Sequence, residues 1–134
     1  MSTMMNQVAD IAVEVRDWAE VIAEKEGYRE DLNGMCAIAS SELWKRLTHH
    51  KIKSKICMCE EDNGCHVFLN VEDHIVCITA TQFYKFRNIP ILIRHEKEME
   101  DEMYYRNPII FKNSKMLRTY QINEGWEKNQ IARR

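Results

Sequence analysis

Apolar residues along the chain change their spacing partway, and that change predicts the order of elements. Val8, Ile11, Ala12, Val15, Trp18, Ala19 and Ile22 recur at steps of three and four. That period belongs to a helix with one apolar stripe, and Gly27 is placed to stop it. Asp31-Leu32-Asn33-Gly34 reads as a polar turn capping a second helix from about Met35 to His49. Ala39, Leu43 and Leu47 form its stripe, flanked by Ile38 and Trp44. The small residues from Cys36 to Ser41 would let its first turns approach another element closely. From Ile52 the period falls to two: a first strand to Cys59, a turn at Glu60–Gly64, a second strand from Cys65 to Val71 and a third from His74 to Thr81. Ile89–Ile93 is a short apolar run whose Pro90 favours an edge strand. Glu96–Glu102 reads as a solvated charge run. Ile109–Phe111 suits a strand, and Leu117–Ile131 is partly helical.

The second and third strands sort their own faces. With Glu72 and Asp73 as the two central residues of a hairpin turn, Val71 pairs with His74, Phe68 with Cys77 and His66 with Thr79. One face then carries Val67, Leu69, Val71, His74, Val76, Ile78 and Ala80. The other carries His66, Phe68, Asn70, Ile75, Cys77, Thr79 and Thr81. A slip of one residue would mix the two sets, so burial of the first face specifies the register. The second face is expected to be polar, with His66 and Cys77 as diagonal neighbours.

With 134 residues, few glycines and prolines and no repeat, the chain suits a single domain, 1–134. Nineteen Lys plus Arg against twenty-one Asp plus Glu leave a net charge of −2, without the basic excess of a nucleic-acid binder. No segment has the length and apolarity of a membrane span. Met1–Asn6 lacks the basic and apolar stretches of a secretory signal, so a cytoplasmic chain with five free cysteines is expected, not a disulfide scaffold. Cys57, Cys59, Cys65, His66 and Cys77 raise the question of zinc. Cys57-Met58-Cys59 has a one-residue spacer and no second knuckle, so strand-face thiols are preferred to a metal site, and no cofactor is expected.

Cys36 and His66 carry the candidate chemistry. A cysteine in the first turn of a helix meets amide dipoles that favour its thiolate, and the unpaired N–H groups of that turn suit an oxyanion. A histidine on a strand is held rigidly enough to move one proton. A third group on the adjacent strand would accept the other ring N–H and orient it.

Three strings carry a family resemblance: Leu32-Asn33-Gly34-Met35-Cys36-Ala37-Ile38-Ala39-Ser40, then Gly64-Cys65-His66-Val67-Phe68, then Ile75-Val76-Cys77-Ile78-Thr79-Ala80-Thr81-Gln82-Phe83. They resemble the papain-like/transglutaminase-like cysteine enzymes, and most closely small phage and bacterial members of that superfamily. The resemblance spans 31–83 and leaves the C-terminal third unexplained. It implies an α+β fold, with N-terminal helices packed on a small antiparallel sheet. It also implies Cys36 as nucleophile, His66 as base, and a protein or peptide substrate. Asn33, Thr79 and Gln82 are candidates for substrate or oxyanion contacts.

Cys77 departs from the family pattern, because the third residue there is an Asp. A thiol is a weak acceptor and orients an imidazole poorly. The site could be a Cys36–His66 dyad, could use Asn70, Asp73 or Gln82 as the acceptor, or could have kept binding and lost catalysis. The expected function is a thiol-dependent acyl hydrolase or transferase. The competing one is a catalytically weakened binding protein, such as a phage-encoded modulator of host machinery.

Overall fold

The computed structural model describes residues 2–61 and 64–123. Within them the chain is α+β, with three α-helices and one five-stranded antiparallel sheet. Helix α1 (Thr3–Glu26) starts where Ser2 accepts the Met5 N–H at 3.1 Å. It stops at Gly27, whose left-handed φ of 78° suits a residue without a Cβ. Its stripe is buried as expected through Val8, Ile11, Ala12, Val15 and Ala19, with Trp18 and Ile22 half-buried.

Helix α2 (Cys36–His49) occupies the predicted place, but its start differs from expectation. No side chain caps it. Asp31 Oδ1 accepts the Asn33 N–H at 3.0 Å instead, closing a local turn. Leu32 takes a left-handed φ of 63° and is fully buried, so the turn is anchored by an apolar side chain. Gly34 has φ 89° and lies against the Tyr28 ring, 3.4 Å from where a Cβ would stand. This turn delivers Cys36 to the first helical position.

Strands β1 (Lys55–Glu61), β2 (Gly64–Val71), β3 (His74–Cys77), β4 (Leu92–His95) and β5 (Ile109–Phe111) pair in the order β4-β3-β2-β1-β5. The register Val71↔His74, Asn70↔Ile75, Leu69↔Val76 is the predicted one. Glu72 and Asp73 form the turn with φ of 46° and 64°, the left-handed pair that a two-residue hairpin demands. β4 is an edge strand, and Pro90 lies just ahead of it. Asp62, Asn63 and everything from Glu124, including Trp126 and the rest of the predicted Leu117–Ile131 segment, lie outside the described residues. The helix found in that region is α3 (Ser114–Asn123).

Two expectations fail here. The third strand ends at Cys77, not Thr81, and a 3-10 turn begins at Ala80. His66 and Thr79 are therefore not strand partners. The second sheet face is not an open polar one either. Cys57, Cys59, Phe68, Ile75, Cys77, Ala80, Leu92, Met99 and Tyr105 form a second buried cluster on it. Ala80, assigned to the first face by strand parity, joins this second cluster because the strand has already ended. The covering chain is mostly non-helical and includes part of the charge run: Glu96–Met99 is a 3-10 turn that buries Met99. The opposite face packs Ile56, Met58, Val67, Leu69, Val71, Val76 and Ile78 under α1 and α2. Among the described residues, no helix is long and apolar enough to cross a membrane.

Candidate thiol site

Helix α2 is set onto β2 at two points. Ser40 Oγ donates to the Val67 carbonyl at 3.0 Å, and one turn earlier the Cys36 thiol points at the Cys65 carbonyl, 4.0 Å away. The small residues between them allow this approach. Cys36 is only 3% exposed. Burial pushes its thiol up to about 11, although hydrogen bonding to backbone at Val67, Ala37 and Cys36 itself works the other way. The helix start was expected to favour a thiolate; desolvation is the larger effect here.

His66 is 1% exposed, and both of its ring nitrogens have partners. Nε2 lies 3.2 Å from Cys77 Sγ, and Nδ1 lies 3.2 Å from Gln82 Nε2. The Gln82 amide also donates to Thr79 Oγ1 at 3.3 Å. With both amide hydrogens spent this way, Nδ1 is an acceptor and the ring hydrogen sits on Nε2, directed at Cys77. Cys77 Sγ also accepts from the Tyr105 hydroxyl at 3.3 Å and contacts Thr79 Oγ1 at 3.8 Å. Aromatic rings enclose the imidazole: Phe68 stacks on it at 5.8 Å, and Phe83 and Tyr105 meet it edge-on at 4.7 and 5.0 Å.

No hydrogen bond joins Cys36 to His66 among the described residues. The structure gathers His66, Cys77, Thr79 and Gln82 into one network and sets Cys36 on the backbone of the strand that carries His66. Of the three alternative acceptors, Gln82 reaches the ring, but through its amide nitrogen and as a donor. Asn70 instead donates to Glu96 and accepts the Asp73 N–H. Asn33 is exposed on the turn before α2, where its N–H donates to Asp31 Oδ1. Burial lowers the His66 imidazole to about 3, and burial likewise raises the Cys77 thiol and the Tyr105 phenol. The network is therefore uncharged at neutral pH.

Three comparisons, with protein-family models, with curated proteins and with solved structures, match nothing. The reading of the site thus rests on its residues. Among those described, no group of three or more His, Cys, Asp or Glu side chains is placed to hold a metal ion. Cys57 and Cys59 lie in the second cluster, and the Cys59 thiol donates to the Arg106 carbonyl at 3.1 Å.

Two participants escaped the pattern reading. Tyr105 sits beyond the charge run, where periodicity carries little information, and only the aromatic pair Tyr104-Tyr105 marks the spot. Arg16 left a clearer signal, being a charged residue on the α1 stripe between Val15 and Ala19. Its guanidinium is buried and donates to the Ile78 carbonyl at 2.8 Å and to Thr81 Oγ1 at 2.9 Å. Thr81 Oγ1 donates onward to the Asp31 carbonyl at 3.1 Å. One side chain thus ties together α1, the loop leading to Cys36 and the turn carrying Gln82.

Proposed function

We propose that the chain is a papain-like, thiol-dependent acyl hydrolase or transferase, with Cys36 as nucleophile and His66 as base. The observation that carries this reading is the polarity of His66. With the Gln82 amide donating to Nδ1, the ring hydrogen is assigned to Nε2, 3.2 Å from Cys77 Sγ, and the lone pair to Nδ1, the arrangement of a base oriented by a third residue. Cys77 stands where that superfamily has an Asp.

The chemistry runs once Gln82 has left Nδ1 and the thiol has come into reach. Cys36 Sγ attacks the carbonyl carbon of an amide or thioester while its proton passes to His66 Nδ1. The amides in the first turn of α2 hold the oxyanion. His66 returns the proton to the departing amine or thiol as the C–N or C–S bond breaks, leaving an acyl-thioester on Cys36. Water or an amine then attacks that thioester, with His66 again taking the proton; the C–S bond to Cys36 breaks and His66 returns the proton to the leaving thiolate. Deamidation, transglutamination and cleavage of a peptide or isopeptide bond all use this intermediate, so a protein or peptide substrate fits. Loss of an orienting acid costs about four powers of ten in the serine-protease template, so turnover is expected to be slow.

Adduct mapping by mass spectrometry after iodoacetamide or an electrophilic amide tests the proposal. Cys36 is expected to react faster than Cys57, Cys59, Cys65 and Cys77, and to slow in His66→Ala. A Cys36 no faster than thiols of the denatured chain and indifferent to His66 rejects it.

The second reading is a catalytically weakened binding domain, of the kind a phage would use to modulate host machinery. It is supported by the thiol in the acid's seat and by an imidazole occupied on both sides. Cys36→Ala separates the two: a binding protein keeps its interaction and function, whereas an enzyme keeps the interaction and loses turnover.

A further inference from the structure

We propose that the groove between the turn Tyr84–Phe86 and residues 102–105 binds an uncharged ligand carrying an aromatic ring on an amide backbone, and that its occupation draws Gln82 off His66. The consequence for Cys36 rests on the thiol-enzyme reading above; the binding itself does not.

The groove has a volume of about 350 Å³ and is walled by Phe83, Phe86, Tyr104 and Tyr105. Phe83 and Tyr104 stack with centroids 4.5 Å apart and planes 13° from parallel, so their faces cover each other and their edges line the groove. At the mouth, Met103 is 45% exposed and Tyr84 81% exposed, with the Arg87 guanidinium over the Tyr84 ring, 4.1 Å from its centroid. The two charged groups in the lining, Lys85 and Glu102, pair with each other across the walls. Their charges cancel, so the groove favours a neutral occupant over an acidic or basic one.

Gln82 belongs to the same lining, and it connects the groove to the chemistry. Its amide holds His66 Nδ1 at 3.2 Å and Thr79 Oγ1 at 3.3 Å, both beyond the commonest length for such bonds. A ligand carbonyl at the groove's inner end can accept those same N–H groups. Phe83, the next residue, stands edge-on to His66 at 4.7 Å, so movement of this wall is felt directly at the imidazole. Removing Gln82 uncovers the one ring nitrogen that has a lone pair to offer. The groove is thus placed to couple ligand arrival to the availability of the base.

The probe is N-acetyl-phenylalanine amide, compared with its alanine and aspartate counterparts, on the whole chain. One readout is the imidazole nitrogen-15 signals of His66. The phenylalanine probe is expected to move the Nδ1 signal saturably, while the other two do not. Met103→Glu, which brings a charge to the mouth, is expected to weaken that response. The second readout is alkylation of Cys36 by iodoacetamide, which the probe should accelerate by roughly 10²-fold, the low end of what a positioned base contributes. Gln82→Ala should show the raised rate without probe and gain little from it. A saturable His66 response with a flat Cys36 rate upholds the groove and counts against the thiol chemistry. Absence of any His66 response at high probe concentration overturns the groove, as does a response that the alanine and aspartate probes match.

Discussion

The two faces of this sheet are made from alternate residues of the same strands, yet they obey different rules. Under α1 and α2 the sheet presents Ile56, Met58, Val67, Leu69 and Val76, and stability there is a matter of filling space. The other face buries His66, Cys57, Cys59 and Cys77 beside Phe68, Ile75 and Tyr105. There each polar atom needs a partner, and the imidazole, thiol, phenol and amide supply one another. The helix-backed face is packed by apolar side chains, whereas the loop-covered face also buries a hydrogen-bonded polar network.

The sharpest break of that comparison is a deletion on the first face. Leu69→Ala should cost about 2–5 kcal/mol in urea denaturation, because a fully buried leucine leaves a cavity. Arg16→Met comes next, at about 1.5–3 kcal/mol, since the Ile78 carbonyl and Thr81 hydroxyl lose a charged donor. Faster amide exchange at Thr81–Phe83 would confirm that this loss loosens the turn carrying Gln82.

Acid should act on the second face. The unfolded His66 takes a proton around 6.5, whereas the folded one resists until about 3. The unfolded chain therefore binds more protons in that window, and the stability present above 6.5 is lost as the pH falls toward 3. Between pH 7 and pH 5 that amounts to about 2 kcal/mol, and His66→Phe should remove this component of the pH dependence. On the alkaline side the raised Cys36 thiol gives the converse: stability present below 9.0 declines as the pH climbs to about 11. The smallest effect is Tyr105→Phe, about 0.5–1.5 kcal/mol for one lost hydroxyl bond. The Cys77 thiol should rise further without that donor, which a thiol titration would detect.

Much of the first face could be read in advance, because periodicity records burial against a helix. Val8 to Ile22 marked α1, and the parity of Val67, Leu69, Val71 and Val76 marked the register. The second face hid its nature for the same reason. His66, Asn70, Cys77 and Thr79 look polar in sequence, and residues from later in the chain, among them Phe86, Met99 and Tyr105, cover the face. Strand alternation also carried β3 too far. The turn after Cys77 swings Thr79 and Gln82 onto His66, and Arg16 holds the adjoining Ile78 and Thr81 from sixty residues upstream, a contact no local pattern records. Cys36 and His66 were legible as a pair of residue types. Cys77 and Gln82 were legible as candidates to contact the ring; what was not legible is that Gln82 meets Nδ1 as a donor and that, among the described residues, no hydrogen bond joins Cys36 to His66.

The most direct measurement is the pH–rate profile of Cys36 alkylation in Cys77→Asp beside the unaltered chain, each with and without His66→Ala. A carboxylate at that position would find three donors waiting, His66 Nε2–H, the Tyr105 hydroxyl and the Thr79 hydroxyl, and would hold the imidazolium that Cys77 supports poorly. The expected result is faster Cys36 alkylation at neutral pH in Cys77→Asp, with the gain abolished by His66→Ala. An unchanged Cys36 rate in a folded Cys77→Asp protein, or a gain that survives loss of His66, would contradict the assignment of His66 as the base and Cys77 as its orienting residue.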